Sequence, residues 1–272
     1  MDDCRKGFVV EAWKPQLTSS RKKEKGKPQM KKCFFVAGVS AFVVTAASSA
    51  DMTGAWWEGR QVSATDFAGQ PDFNGYVIDL WMESDDATDK LLNTFNTNIN
   101  NDQNNADYYQ SFTGTGWTPN NLGPPFETEA LKHADSFVSA GGRKADTSSA
   151  YVDGVVVQMA ANGTGLDPNF GGNNAGVPGA DAGWYNSDPA NYIGEPVSGF
   201  GSGPGGELRI FVGRFALQGV ERFEIFGNVN VTWNNGIGTE GFQEDFEIME
   251  VPAPGAVALL GLAGLASRRR RR

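Results

Sequence analysis

His133 is the only histidine among 272 residues, which excludes any centre built from two or more imidazoles. One histidine still permits a Ser/His/Asp triad. However, no serine stands in a Gly-x-Ser-x-Gly elbow, and the residues around His133 read as a connecting turn. Gly201, Gly203 and Gly206 match Gly-x-Gly-x-x-Gly by letter. Pro204 lies inside that match and an extended run follows where a helix would have to begin, so the phosphate-cradling reading fails. Glycoside hydrolysis needs two carboxyl groups about 5 to 9 Å apart, and acids are abundant enough here that a secreted glycan hydrolase stands as one alternative. Aromatic residues supply another. Trp117 in GTGWTPNN, and Trp184 with Tyr185 in AGWYNSD, lie between polar loop residues. Rings exposed on loops stack on sugar faces while neighbouring Asn and Asp bond the hydroxyls. These three are the expected glycan-contact residues of a binding module.

Charge narrows the partners. Residues 51–250 hold 8 Lys and Arg against 28 Asp and Glu, a net charge of −20 where the whole chain carries −9. Such a body repels nucleic acid and anionic lipid and attracts cations. No Lys or Arg occurs between positions 145 and 208, while Asp167, Asp181 and Asp188 do. Calcium, which takes six to eight oxygen ligands, is the one cofactor expectation, either on those three or beside Asp85, Asp86 and Asp89. Asp167, Asn169 and Gly171 imitate the start of an EF-hand loop. Pro178 at the twelfth position, where a bidentate Glu belongs, rejects that particular site. The only cysteines, Cys4 and Cys33, precede residue 51, so the body has neither a disulfide nor thiol chemistry.

The elements that must position these residues read as strands. In RFEIFGNVNVTWN, Phe223, Ile225, Gly227, Val229, Val231 and Trp233 alternate with polar or outward residues, the period of a half-buried antiparallel strand. AWWEGRQV at 55–62, YVIDLWM at 76–82, LLNTFNTNI at 91–99, DYYQSF at 107–112, DSFVS at 135–139, YVDGVVVQM at 151–159, LRIFVGRFAL at 208–217 and FQEDFEI at 242–248 complete the series. Nine short strands with turn residues between them predict a mainly β domain, an antiparallel β-sandwich of jelly-roll or cohesin-like type. One helical turn is expected over 127–134. The Asn-rich stretch 93–105 and the Gly-rich stretch 163–206 read as long surface loops.

Both ends carry addresses. Met30, Lys31 and Lys32 lead into CFFVAGVSAFVVTAA, and Ser48, Ser49 and Ala50 suit a signal peptidase, so residues 30–50 are expected to be a signal helix and the mature chain to begin at Asp51. Residues 1–29, basic and without an apolar run, are expected to be a disordered leader or to precede a true start at Met30. At the other end, Val251, Pro252 and Pro254 open a segment whose short apolar helix, 255–267, is followed by Arg268, Arg269, Arg270, Arg271 and Arg272. The arginines favour the cytoplasmic side and leave the body, 51–250, outside.

This arrangement of signal peptide, polar body, Val-Pro-x-Pro, short helix and arginine cluster resembles the PEP-CTERM sorting signal of bacterial exported proteins, here over 251–272. The chain departs from it at Ala253, where the usual motif has Glu. The resemblance implies recognition by an exosortase, transient or permanent anchoring in the membrane through the C-terminal helix, and association with exopolysaccharide or biofilm matrix. DLWMESDD, DSFVSAGG and VGRF resemble, more distantly, segments of cohesin-like and carbohydrate-binding-module-like sandwiches. Together these imply an exported, non-enzymatic cell-surface or matrix protein with an extracellular polysaccharide as its possible ligand and no nucleic acid partner. A glycan-binding module and a secreted glycan hydrolase remain as alternatives.

Overall fold

Alternation of apolar and polar residues makes one side of a strand a core face, and the segment Ile225–Asn234 uses it so. Ile225, Val229, Val231 and Trp233 are buried, whereas Phe226 points out, 51% exposed. The computed structural model describes residues 51–251 except 115, 120–124, 142–148, 153–154, 159–163, 188–193, 199–207 and 237. The elements are β1 (Met52–Ala64), β2 (Phe73–Ser84), β3 (Lys90–Asn101), α1 (Glu129–His133), β4 (Phe137–Val138), β5 (Ser149–Val152), β6 (Val155–Gln158), β7 (Thr164–Leu166), β8 (Ala182–Asn186), β9 (Val197–Ser198), β10 (Leu208–Gln218), β11 (Ile225–Asn234) and β12 (Gly241–Glu250). A 3-10 turn covers Pro168–Phe170.

The fold is mainly β. Nine strands run in the order β4-β10-β2-β1-β12-β11-β3-β8-β7, with β9 on β10, and β5 and β6 form a separate hairpin. The expectation of purely antiparallel sheets is corrected, because β1 and β12 pair in parallel. Residues 241–247 of β12 pair with β11, and 248–250 pair with β1. One strand therefore changes partner along its length and makes the sheet continuous and nearly barrel-like. Side chains from both stretches meet in one core, including Trp57, Ile78, Leu80, Val212 and Phe215 from one and Leu91, Trp184, Val229 and Trp233 from the other.

Further expectations change. The run 107–112 is not a strand: Tyr108 and Tyr109 donate single backbone bonds to Gly176 and Ala216 instead of joining a ladder. Segment 151–159 is divided between two strands of a hairpin. The stretch 93–105 is mostly strand, through Asn101, and the stretch 163–206 contains β7, the 3-10 turn, β8 and β9. The expected helical turn at 127–134 is α1, capped by Thr128, whose hydroxyl accepts from Leu131 N at 3.0 Å. The expected signal helix and C-terminal helix fall outside the described residues. Among the described residues no helix is long and apolar enough to cross a membrane.

The second face of β1, β2 and β10 is covered as well. Ala130 and Ala134 pack on Ala64, Phe73, Val77 and Ala216, which is what holds a helix of five residues. Under this cover Asp79, fully buried, accepts from Arg214 Nε at 2.7 Å and also from Arg60 Nη1. Arg214, equally buried, spends a further donor on Lys132 O at 2.6 Å. Burial alone would push Asp79 up, but the Arg214 and Arg60 guanidinium groups reverse this and hold its carboxyl below the ordinary value.

Asp135, in the same layer, goes the other way. Burial raises it to about 8 against the opposing Ser111 N–H bond at 2.8 Å and the Arg214 charge. Between about pH 4 and 8 the folded chain thus keeps a proton that the unfolded chain has lost, so this group makes stability fall as pH rises through that window. Asp135→Asn, whose amide oxygen still accepts from Ser111, is expected to remove the slope. It should raise stability at pH 8 by more than the roughly 1.4 kcal/mol that one pKa unit represents, measured as urea midpoints at pH 5 and 8.

Candidate functional site

Because side chains alternate across a strand, the residues opposite the core on β8, β3, β11 and β12 form a lattice on the exposed face. The pairing register gives its rows. Tyr185, Asn93, Thr232 and Gln243 stand side by side across the four strands. The next row is Phe95, Asn230 and Asp245, and the next Asn98, Asn228 and Glu247; Asn100 and Phe226 close it. Rows cross strands about 4.8 Å apart. The face is open: Tyr185 is 45% exposed and Gln243, Asp245, Glu247 and Asn98 are all exposed.

Its side chains are fixed by one another. Thr232 Oγ1 donates to Asn93 Oδ1 at 2.6 Å, Asn228 Nδ2 to Asp245 Oδ1 at 2.8 Å, and Asn100 Nδ2 to Asn98 Oδ1 at 3.0 Å. Tyr185 lies over Gly165 of β7, where a Cβ would collide with the phenol ring. Gly227, at φ 125, lets the backbone pass Asn98 O, which any side chain there would strike. None of the lattice residues is cationic; the two carboxylates sit on the β12 margin. Amides offer donors and acceptors in equal measure without charge, and with a ring at one end the arrangement suits a neutral polyhydroxylated ligand.

No family model, curated protein or solved structure matches this chain.

Of the three expected contact aromatics, only Tyr185 reaches this face. Trp117 and Trp184 are 0% exposed, which corrects the expectation that they form a glycan-contact surface. In β8, Trp184 falls on the inward alternation, and its Nε1 donates to Ser139 O at 2.8 Å. Trp117 Nε1 donates to Ala175 O at 2.6 Å, and the ring meets Phe170 and Tyr108 edge-on at 5.4 and 5.7 Å. A loop carbonyl that satisfies the indole N–H allows the whole ring to enter the core. Polar sequence neighbours gave no hint of this.

Among the described residues the calcium candidates form no metal-ligand group. Asp167 caps the 3-10 turn, its Oδ1 accepting from Phe170 N at 2.9 Å. Asp181 is exposed, with a left-handed φ of 59 on the turn into β8. Asp188 lies outside the described residues, and among these no three His, Cys, Asp or Glu side chains gather as metal ligands. His133 ends α1 with Nε2 3.2 Å from Glu129 Oε2. Both line an open cleft of about 480 Å³ with Arg60, Gln61, Ser63 and Thr65. Burial and the Arg214 charge hold the imidazole below its ordinary pKa, and Ser63 Oγ donates to Asn74 Oδ1 at 3.0 Å. Of the expected sorting residues, Val251 alone is described, its N–H bonded to Trp57 O at 2.9 Å. Pro252, Pro254 and Arg268 to Arg272 lie beyond.

Proposed function

We propose that this chain is an exported, non-enzymatic cell-surface or matrix protein whose β body binds a neutral extracellular polysaccharide through the amide face of β8, β3, β11 and β12. The observation that carries the binding part is the uncharged lattice of Asn93, Asn98, Asn228, Asn230, Thr232 and Gln243 beside the exposed ring of Tyr185. Export rests on the sequence at both ends: signal peptidase acting before Asp51, and an exosortase reading the tail, with the membrane held through the C-terminal helix. On architecture, we read the division of β12 between two partners as the corner of a jelly-roll or cohesin-like sandwich, whose halves close on one core.

Retention on polysaccharide columns tests the binding. A neutral glucan is expected to retard the protein and alginate is not, because the body's net charge of −20 opposes a polyanion. Tyr185→Ala is expected to weaken retention on the glucan about tenfold, roughly 1.4 kcal/mol, with the thermal midpoint nearly unchanged since the side chain is exposed. If no neutral polysaccharide is retained, the amide face has another role. Release of reducing ends would favour the hydrolase alternative.

A further inference from the structure

The turn between β2 and β3 gathers carboxylates that no cation among the described residues is seen to pair with. Asp89 is 0% exposed; its Oδ2 lies 2.7 Å from Ser84 Oγ, and its Oδ1 has no hydrogen-bond partner. Ser84 Oγ must also serve Asp86 O at 2.8 Å while accepting from Asp86 N at 3.1 Å. One hydroxyl proton thus faces two acceptors. Burial raises Asp89 to about 6, the Ser84 bond opposes this, and the charges of Asp86, Asp85 and Asp51 add to it. Two cations stand nearby in sequence or register. Lys90 Nζ pairs with Glu195 at 3.4 Å, and buried Arg209 stands opposite Glu83. Among the described residues no ion pair reaches Asp85, Asp86 or Asp89. These acids are also not arranged as metal ligands.

One group does reach in: the backbone nitrogen of Asp51, 2.7 Å from Asp85 Oδ1, with Asp85 N returning a bond to Asp51 O at 3.2 Å. We propose that this cluster is a receptor for the chain's own processed N-terminus, in which cleavage before Asp51 turns that nitrogen into an α-ammonium held by Asp85 in the field of Asp86 and Asp89. The inference rests on the export reading. Before cleavage the nitrogen is an amide with one proton and no charge; afterwards it carries three protons and a positive charge, which this proton-poor turn lacks. Processing therefore completes the fold at the β2–β3 turn.

An α-amine whose pKa is raised in the folded state stabilises below its unfolded pKa of about 8, and that contribution is lost as pH rises through the raised value. The test uses the full chain recovered after export, the same chain with its α-amine selectively acetylated, and Asp85→Asn in both forms; Asp85 is exposed, so this variant is expected to fold. The α-amine pKa is read from its rate of acylation against pH. It is expected at least one unit above the ordinary value of roughly 7.7 to 8.0, and to fall back in Asp85→Asn. Acetylation is expected to lower the thermal midpoint at pH 7 in the parent and leave it unchanged in Asp85→Asn. A chain that starts at Asp51 with an ordinary amine and an acetylation-insensitive midpoint overturns the inference and leaves the export reading standing. A mature chain that starts elsewhere overturns the cleavage position and the inference with it.

Discussion

Asp79→Asn is expected to cost about 3–5 kcal/mol of stability, the range for breaking a buried ion pair by removing one partner. The amide keeps the shape of the carboxylate but removes the negative charge that Arg214, fully buried, and Arg60, partly buried, share. Urea unfolding at pH 7 measures it. Arg222→Ala is the natural contrast, because its pair with Glu250, at 2.8 Å, is exposed and such pairs contribute little. The carboxyl of Asp79 is held below its ordinary value, so its contribution is present above the unfolded pKa of about 3.9 and is lost as pH falls through the folded value. Parent and variant should therefore converge in strong acid. An Asp79→Asn protein with the parent midpoint at pH 7 would mean that backbone pairing and packing hold β1, β2 and β10 without help from this ion pair.

Trp184→Ala is expected to cost a similar amount, about 3–5 kcal/mol, by opening a cavity against Phe170 and orphaning Ser139 O. The same variant separates two positions for this ring. A core tryptophan loses polysaccharide retention only as the fold is lost, and Trp184→Phe recovers much of both. If Trp184→Ala keeps the parent midpoint and abolishes retention, the indole works at the surface, as its sequence neighbours suggested.

Those neighbours explain what could be read in advance. Where a strand has water on one side, alternation is visible in the letters, and β11 was legible from Phe223 to Trp233. The positions of β1, β2, β3, β10 and β12 were legible from similar runs. Alternation does not say which strands become neighbours, so the parallel pairing of Ala55 with Ile248 left no mark in the sequence. β8 was missed because five residues, AGWYN, are too few for a period, and glycines around them read as loop. The candidate site was hidden for a related reason. Asn93, Asn98 and Asn100 look like turn formers when counted as composition, yet in β3 every second one simply faces water beside Asn228 and Asn230. Only the register makes them a surface. Tyr185 is exposed, as its polar neighbours suggested, while Trp117 and Trp184 were misplaced because a backbone carbonyl that will satisfy an indole cannot be located from the sequence.

The partner change along β12 has a mechanical meaning. Val251, the last described residue, directly follows the strand that contributes Gln243, Asp245 and Glu247 to the amide face. A pull on Val251 runs lengthwise down β12, against seven paired residues of β11 and three of β1. These ladders lie along the force, so their hydrogen bonds resist in shear and must yield together, not one at a time from an end. Under the proposed function, a ligand on that face and a tether beyond Val251 are joined by a single taut strand.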